Sequence, residues 1–277
     1  MNTPQPVINR PFLKWAGGKA KLAARISAVL PKAQCLVEPF VGAGSIFLNT
    51  DYDHYILSDI NPDLINTFAQ LKQAPAAFIK DAAAFFVPAN NTDEQFRLLK
   101  AQFNSTADQY EKALLFVYLN RFCFNGLCRY NQSGKFNVAF GKYKAPYFPK
   151  AEMAAFASRL DRAEVLCRSF EDAFTNLPSD CVVYCDPPYV PLTSTANFTS
   201  YSAGGFSPEQ QHQLAKLAMD SKVPVVLSNH NTPETQALYS GATLQCFDVQ
   251  RNISQNGQNR GKAKELIASF FPQEQAA

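Results

Sequence analysis

The sequence lacks the features that define several classes of protein. It has no C-x-x-C pair, and its seven cysteines fall at irregular positions, so we expect neither a disulfide framework nor a cysteine metal site. No apolar run approaches the roughly 18 residues that a membrane span requires. The first ten residues have no apolar core of the kind found in a signal peptide. We therefore expect a globular protein of the reducing cytoplasm that binds neither metal nor membrane.

Two segments also lack acidic residues. Residues 121–150 contain six Lys and Arg and no Asp or Glu, and residues 249–264 contain four and none. The rest of the chain holds 16 of the 26 basic residues against all 23 acids, so a mildly acidic body carries two basic segments. Such segments either bind a polyanion or form solvated loops, and charge alone leaves both interpretations open.

Apolar runs alternate with helical patterns along most of the chain. The runs that predict strands lie at 34–38, 54–59, 164–169, 181–185 and 224–229, with two possible edge strands at 242–249 and 265–271. The helical patterns between them lie at 19–30, 62–74, 150–161 and 207–220. Strands separated by helices predict βαβ units and an α/β fold with a mostly parallel sheet.

Residues 62–149 interrupt this alternation. Beyond 62–74 they contain helical patterns at 75–86, 93–104 and 107–122, followed by an aromatic segment rich in Gly and Asn that predicts a hairpin or an ordered loop. We interpret 62–149 as a helical insertion. Residues 1–61 and 150–277 then form the domain that carries the sheet.

A turn with two glycines follows the first predicted strand, which ends at Glu38. Gly42 and Gly44 would let a ligand approach the backbone at the carboxyl edge of the sheet, and Asp59 on the next strand would accept hydrogen bonds from ribose hydroxyls. A nicotinamide dinucleotide is one candidate, but Phe47 occupies the place of the third glycine of that motif. Glu38 would repel a pyrophosphate and attract the amino group and sulfonium of S-adenosylmethionine. The alternatives are an exposed strand-end acid at Glu38 and a helix N-cap at Asp59.

The strand at 181–185 runs directly into the sequence Asp-Pro-Pro-Tyr. Asp186 and the carbonyl of Pro187 would both accept hydrogens from one amino group, because proline lacks the N–H that a continuing helix needs. The exocyclic amino group of a base is a poor nucleophile, and two acceptors would direct its lone pair towards an incoming methyl group. Tyr189 would stack on the base. Alignment and electrostatics would then supply most of the rate, while a plain strand-ending turn is the alternative.

Five segments together resemble the Dam-type DNA adenine-N6 methyltransferases. They are FLKWAGGK at 12–19, LVEPFVGAGSIF at 36–47, SDIN at 58–61, NGLCRYN at 125–131 and YCDPPY at 184–189. The likeness covers nearly the whole chain and keeps the order of motifs. It implies a class I S-adenosylmethionine-dependent methyltransferase fold with a Rossmann-like sheet and a helical target-recognition insertion. The implied reaction is methyl transfer to N6 of adenine in double-stranded DNA, within GATC, by a monomer that flips the adenine into the DPPY pocket.

The resemblance also implies roles for individual residues. The implied cofactor contacts are Trp15, Lys19, Glu38, Phe40, Gly42, Asp59 and Asp186, and the implied catalytic residues are Asp186, Pro187 and Tyr189. Lys14 would read the first guanine of GATC, Arg129 would read the guanine of the last base pair, and Leu127 would touch a thymine methyl. Phe124 and Asn125 would enter the duplex where the adenine leaves, and Tyr143 of the same segment would also contact DNA. Phe124 stands where the family has tyrosine, and Ala139 where it has proline.

The composition of residues 121–150 agrees with this interpretation. Eight Phe and Tyr are interleaved with the six basic residues, which suits base readout and the filling of a gap left by a flipped base. A small aromatic core under a basic surface is the alternative. The hydroxyl-rich segment 191–202 would close over the flipped base. Two other functions stay open: an RNA base methyltransferase, and a non-catalytic DNA-binding module with a decayed cofactor site.

Overall fold

The computed structural model describes residues 8–190, 205–250 and 262–272, and these form one seven-stranded sheet with helices on both faces. The strands β1 to β7 are Cys35–Glu38, His54–Asp59, Ala163–Cys167, Cys181–Cys185, Val225–His230, Thr243–Gln250 and Lys262–Phe270. The helices α1 to α9 are Ala23–Val29, Pro62–Gln73, Pro75–Ala83, Asp93–Phe103, Gln109–Phe122, Lys150–Leu160, Phe170–Ala173, Pro208–Met219 and Pro233–Leu238.

The sheet order is β3-β2-β1-β4-β5-β7-β6. Strands β1 to β5 are parallel to one another, and β7 is antiparallel to both of its neighbours, β5 and β6. From β1 the chain builds outward to β2 and β3, then crosses back to place β4 on the other side of β1. The strand order therefore reverses between β1 and β4, where ligands bind at the carboxyl ends of strands in doubly wound sheets.

All seven predicted strands are present, but the predicted position of one strand in the sheet was wrong. The segment 265–271 was expected at an edge, whereas β7 lies between β5 and β6, and β3 forms the second edge. Residues Leu266, Ile267 and Ala268 are all fully buried, so consecutive side chains of β7 pack against both layers of helices. A strand buried on both faces belongs in the interior of a sheet.

The predicted helices are present with slightly shorter ends. The largest difference is at α1, which begins at Ala23 rather than at residue 19. Helices α7 and α9 were not predicted, because their four and six residues are too short to show a helical period. The aromatic segment after α5 is an ordered loop with two isolated β-bridges, Cys123 with Phe140 and Tyr130 with Phe136.

Alternate residues of the central strands pack on opposite sides of the sheet. Leu36 and Val182 belong to a large cluster that includes α2, α5 and α6, whereas Val37 and Val183 belong to a second cluster that includes α8. Helices α3 to α5 of the insertion share the first cluster and do not form a separate core. Nine of the 14 residues of α5 are buried, so this helix is a rigid central support for the segment that follows it. No helix in the described ranges is long and apolar enough to cross a membrane.

Gly44 provides a test of how tightly the turn after β1 is packed. Its φ is +74°, and a Cβ atom built there would lie 2.6 Å from Cε2 of the fully buried Phe156. We expect Gly44→Ala to lower the free energy of unfolding by about 2–4 kcal/mol, because left-handed strain and overpacking add. Urea unfolding measures this loss.

Gly134→Ala is the matched control for that experiment. Gly134 has a similar φ of +69°, but nothing lies within 4 Å of its built Cβ. Only the backbone strain of about 1–2 kcal/mol should remain in this variant. Equal losses in the two variants would show that contact with Phe156 contributes nothing.

Candidate active site and nucleic-acid interface

Three predicted acidic residues meet at the carboxyl edge of the sheet. Glu38 ends β1, Asp59 ends β2, and Asp186 directly follows β4. These strands are parallel neighbours in the order β2-β1-β4, so their carboxyl ends lie side by side at the point where the strand order reverses.

Glu38 is buried and incompletely paired. Only 2% of the residue is exposed, and its Oε1 atom has no hydrogen-bond partner among the described residues. Burial raises the pKa of Glu38 to about 8, with the Asp186 charge adding to the shift and the Phe47 amide opposing it. The alternative of an exposed strand-end acid is therefore wrong. A donor or a cation that enters the site would satisfy Oε1.

Asp59 is held by two backbone amides. Gly42 N donates to its Oδ2 at 3.1 Å, and Asn61 N donates to its Oδ1 at 3.0 Å. Burial raises the pKa of Asp59 to about 6, although these amides oppose the shift. The helix N-cap of α2 is Asn61 and not Asp59, so that alternative is also wrong.

The indole of Trp15 lies against the glycine turn. Gly42 has a φ of +48°, and a Cβ atom there would be 3.0 Å from Trp15 Nε1. Phe40 precedes this turn and stacks on Phe170, with ring centroids 5.6 Å apart, while Phe206 packs edge-on at 5.8 Å. The sequence predicted Trp15, Phe40 and Gly42 as site residues but not Phe170 and Phe206, which come from distant parts of the chain.

Among the residues that the structure describes, only one of the two carboxylate oxygens of Asp186 has partners. Lys19 Nζ lies 2.8 Å from Oδ1, and Ser228 Oγ donates to the same atom at 3.0 Å. Tyr184 OH lies 3.0 Å from Ser228 Oγ and extends this chain of contacts. Within the described residues no hydrogen bond involves Oδ2 or the carbonyl of Pro187. Oδ2 of Asp186 and the Pro187 carbonyl are thus open acceptors, and the contacts to Oδ1 fix the orientation of the carboxylate.

Lys19 is the cationic partner of Asp186. Burial lowers the pKa of Lys19, but the charge and hydrogen bond of Asp186, together with the charges of Tyr184 and Glu265, raise it above its ordinary value. The ammonium also donates to the carbonyl of Gly17 at 2.8 Å and lies 4.4 Å from the ring centroid of Tyr189. Burial raises the pKa of Asp186, and Lys19 and Ser228 oppose this shift. The contact therefore favours the ionised form of both partners and fixes the orientation of the carboxylate.

A buried network fixes the backbone of the Asp-Pro-Pro-Tyr turn. Gln211 Nε2 donates to the Pro188 carbonyl at 2.8 Å, and Val190 N donates to Asn229 Oδ1 at 3.2 Å. Asn229 Nδ2 in turn donates to Gln211 Oε1 at 3.2 Å and to Tyr239 OH at 2.9 Å. Helix α8, strand β5 and Tyr239, which directly follows α9, therefore all support the turn. Of this network, sequence reasoning found only that Asn229 ends a strand.

Tyr189 has contacts on several sides. Its hydroxyl donates to Glu265 Oε2 at 3.2 Å, and its ring meets His230 edge-on with centroids 4.7 Å apart. His230 Nδ1 lies 2.9 Å from the Val190 carbonyl, which gives this histidine a structural contact with the turn. Stacking of Tyr189 on a base stays a prediction.

The predicted DNA contacts Lys14, Asn125 and Tyr143 lie together. Asn120 of α5 holds the backbone of Lys14 through both its N–H, at 2.8 Å, and its carbonyl, at 2.7 Å. Lys14 Nζ lies 4.2 Å from the ring centroid of Tyr143, whose hydroxyl accepts from Asn125 N at 2.9 Å. Burial lowers the pKa of Lys14, and the charge of Arg121 adds to this shift.

The remaining predicted DNA contacts project from the same loop. Phe124 is 53% exposed, and Asn125 next to it has a φ of +55°. Leu127 is half-buried against the core, whereas Arg129 is exposed and donates from Nε to Asn137 Oδ1 at 2.8 Å. Because Asn120 holds Lys14 and Lys14 adjoins Trp15, the loop and the carboxylate edge are parts of one surface.

Two segments with predicted roles fall outside the described residues. The hydroxyl-rich stretch 191–202 is one, and residues 251–261 of the second basic segment are the other. Groups of three or more His, Cys, Asp or Glu placed to hold a metal ion were not found in the described ranges.

The parallel strands β1 to β5, the antiparallel β7 and the ligand-facing edge between β1 and β4 define a class I methyltransferase fold. Residues 15–253 match the family described as D12 class N6 adenine-specific DNA methyltransferase. The chain belongs to this family and is therefore an adenine-specific DNA methyltransferase that requires a methyl donor. The resemblance stated from the sequence is confirmed.

Three similar proteins can be aligned with this chain over nearly their full length. The chain is 51% identical over 267 residues to a protein of Vibrio cholerae serotype O1, covering 95% of this chain and 96% of that protein. It is 50% identical over 266 residues to a protein of Serratia marcescens, covering 95% and 98%. It is 48% identical over 267 residues to a protein of Escherichia coli strain K12, covering 95% and 96%. All three are named DNA adenine methylase.

Glu38 should make the stability of the unliganded protein depend on pH. The unfolded carboxyl loses its proton near the ordinary pKa of 4.5, whereas the folded carboxyl keeps it to about 8. The folded state thus binds more protons between these values, and stability falls as pH rises. Glu38→Gln keeps the neutral shape and should remove this loss, so its advantage over the parent should grow to the order of 2–4 kcal/mol at pH 8.

Urea unfolding of the unliganded protein at pH 5, 6, 7 and 8 measures this difference. Glu94→Gln, on the exposed side of α4, is the control and should run parallel to the parent at every pH. A constant difference between Glu38→Gln and the parent from pH 5 to 8 would show that Glu38 is already ionised in the folded protein.

Proposed function

We propose that this chain transfers a methyl group from S-adenosylmethionine to N6 of adenine within GATC in double-stranded DNA, acting as a monomer in the cytoplasm. The main observation in support of this proposal is that two sets of hydrogen-bond acceptors, unpaired within the described part of the chain, lie at the same edge of the sheet. Asp186 Oδ2 and the Pro187 carbonyl are open beside an ionised Lys19, and Glu38 Oε1 is buried without a partner.

The residues at the carboxyl edge fit S-adenosylmethionine. The unpartnered Glu38 Oε1 suits the ammonium of its methionine part, and Asp59, held by two amides, retains lone pairs for ribose hydroxyls. Trp15 and Phe40 supply apolar walls beside Gly42, and Lys19 fixes the neighbouring Asp186. When bound, this cofactor supplies a methyl group carried on a sulfonium. A pyrophosphate at Glu38 would meet a buried acid, which disfavours a dinucleotide.

Asp186 and Pro187 orient the adenine amino group. Each accepts one N–H, so the nitrogen lone pair points away from both acceptors and towards the methyl donor. Methylation itself makes the nitrogen acidic, so its proton leaves without a strong base. Lys19 and Ser228 both hold Oδ1, and the carboxylate therefore does not have to reorganise during the reaction. Tyr189 lies beside this turn and is proposed to stack on the flipped base.

Residues 62–149 are proposed as the target-recognition insertion, and 1–61 with 150–277 as the catalytic domain. Lys14 and Arg129 would read the outer guanines of GATC, and Leu127 would touch a thymine methyl. The exposed Phe124 and the adjoining Asn125 would fill the gap left by the flipped adenine, with Tyr143 holding the Asn125 backbone. The relatives' name, DNA adenine methylase, supports DNA over RNA as the substrate, and the intact carboxylates support catalysis over binding alone.

Asp186→Ala tests the chemistry. We expect turnover at saturating S-adenosylmethionine to fall by at least about 100-fold, because one of two preorganised acceptors is lost. Affinity for a GATC duplex should stay near that of the parent. Incorporation of labelled methyl groups and fluorescence anisotropy measure the two quantities.

The control for this experiment is Asp180→Ala. Asp180 is an exposed acid at the opposite, amino end of the same strand, where it accepts from Gln34 N at 3.3 Å. Its loss should leave turnover near the parent's. Turnover of Asp186→Ala within tenfold of the parent would remove Asp186 from the reaction.

Arg129→Ala tests base reading. A guanidinium that donates to N7 and O6 of guanine is worth about 1–3 kcal/mol of discrimination, so the variant should lose that much at GATC and relax its preference at one outer base pair. Lys142→Ala serves as the comparison, because this exposed lysine of the same loop would bind phosphate. Its loss should weaken binding to every duplex alike and reduce the salt dependence. If Arg129→Ala weakens all duplexes equally, Arg129 binds only the backbone.

A further inference from the structure

The two neighbours of Arg129 are tied to the segment that follows Asp59. Arg129 is exposed, whereas Cys128 before it is only 6% exposed and Tyr130 after it is half-buried. Asn61 Nδ2 donates to Cys128 Sγ at 3.5 Å, and Tyr130 OH donates to Asp63 Oδ2 at 2.6 Å. The backbone that presents Arg129 is therefore fixed on both sides.

The same short turn also holds Asp59. Asn61 N donates to Asp59 Oδ1 at 3.0 Å, and the Asn61 side chain caps α2 by accepting the amides of Asp63 and Leu64 at 3.0 and 3.1 Å. Asp59 thus lies two residues before Asn61 and four before Asp63, the two residues that hold the loop around Arg129.

The hydrogen bond from the Tyr130 hydroxyl to the Asp63 carboxylate is strong because its acceptor is charged and buried. Asp63 is 7% exposed, and its other oxygen lies 3.3 Å from Lys112 Nζ, which compensates the buried charge. Burial, with the nearby Cys128 and Asp63 adding to it, raises the pKa of Tyr130 above its ordinary value, so the hydroxyl keeps its proton. A short hydrogen bond from a hydroxyl to a carboxylate is among the stronger kinds in proteins.

We propose that Tyr130 is a positioning residue for base reading, whose hydroxyl bond to Asp63 fixes Arg129 at a set distance from the methyl-transfer site. The last base pair of the recognition sequence would then be read in register with the target adenine. This inference rests on the proposed function, which assigns Arg129 to the guanine of that base pair.

The second outer base pair provides an internal control. The backbone of Lys14, its proposed reader, donates to and accepts from the side chain of Asn120 of α5, and neither Tyr130 nor Asp63 holds it. The bond from Arg129 Nε to Asn137 lies within the loop and does not tie the loop to the sheet. Removing the Tyr130 hydroxyl should therefore affect reading at one outer base pair only.

The experiment compares Tyr130→Phe with the parent on three duplexes. Each duplex carries N6-methyladenine on one strand, so that only one orientation is productive. One contains GATC, one is altered at the last base pair, and one is altered at the first. We expect the ratio of kcat/KM for GATC to that for the duplex altered at the last base pair to fall about tenfold, within the range of one arginine–guanine contact.

The corresponding ratio for the first base pair should stay within twofold of the parent. A ratio of two kcat/KM values does not depend on the fraction of folded enzyme, so a merely structural role of Tyr130 leaves both ratios unchanged. Such an outcome, or an equal fall of both ratios, overturns the inference.

Tyr110→Phe is the matched control. It removes a tyrosine–aspartate hydrogen bond of 2.8 Å, to Asp81, within the same insertion and away from the loop. Both ratios should match those of the parent. Should Tyr130→Phe fail to fold, Asp63→Asn replaces it, because the amide still accepts from Tyr130 but without charge, and an intermediate fall at the last base pair is expected.

Arg129→Ala separates the inference from the proposed function. If this variant leaves the last-base-pair ratio unchanged, the proposed function of Arg129 fails and the inference with it. If it lowers the ratio while Tyr130→Phe does not, the inference alone is overturned. In the double variant the ratio should be no lower than in Arg129→Ala, because the two residues act through one contact.

Discussion

The parallel pairing of β1 with β4 is the constraint on which the site depends. The two strands are far apart in sequence, and the chain between them builds one half of the sheet before returning. This pairing brings Glu38 next to the turn that begins at Asp186, and the neighbouring β2 adds Asp59. A buried acid without a full set of partners and an ion pair with Lys19 then coexist at one edge. Burial of unsatisfied polar groups costs stability, and here it leaves open acceptors at the edge where we propose that ligands bind.

The supports around the site divide between the two layers of helices. Helix α5 and the start of α2 hold Lys14 and the loop around Arg129, whereas α8 and β5 hold the Asp-Pro-Pro-Tyr turn through Gln211 and Asn229. The sheet joins the two sets. The region proposed to read DNA and the turn proposed to orient the adenine are thus supported from opposite faces of one sheet, which suits a reaction that gains its rate from alignment.

Short-range patterns in the sequence were sufficient for the strands and for the residues at strand ends. Glu38 and Asp186 stand at the boundary between an apolar run and a Gly- or Pro-containing turn, and that boundary is visible without a structure. The position of β7 within the sheet could not be predicted, because an apolar run does not indicate which strands will pair with it. Phe170, Ser228, Gln211 and Asn229 were missed as parts of the site for a related reason. Each acts through a contact with a residue distant in sequence, and no local period marks such a contact.

The bond between Lys14 and Asn120 joins residues 106 positions apart, and Lys19 meets Asp186 across a still longer stretch of chain. Contacts of such separation form late when a chain emerges from the ribosome in order, because the second partner does not yet exist. Lys19 is synthesised well before Asp186 and Ser228, and both of these must follow before the ion pair and its hydroxyl support are complete. The arrangement of Lys19, Asp186 and Ser228 therefore cannot form in a nascent chain before residue 228 has been added.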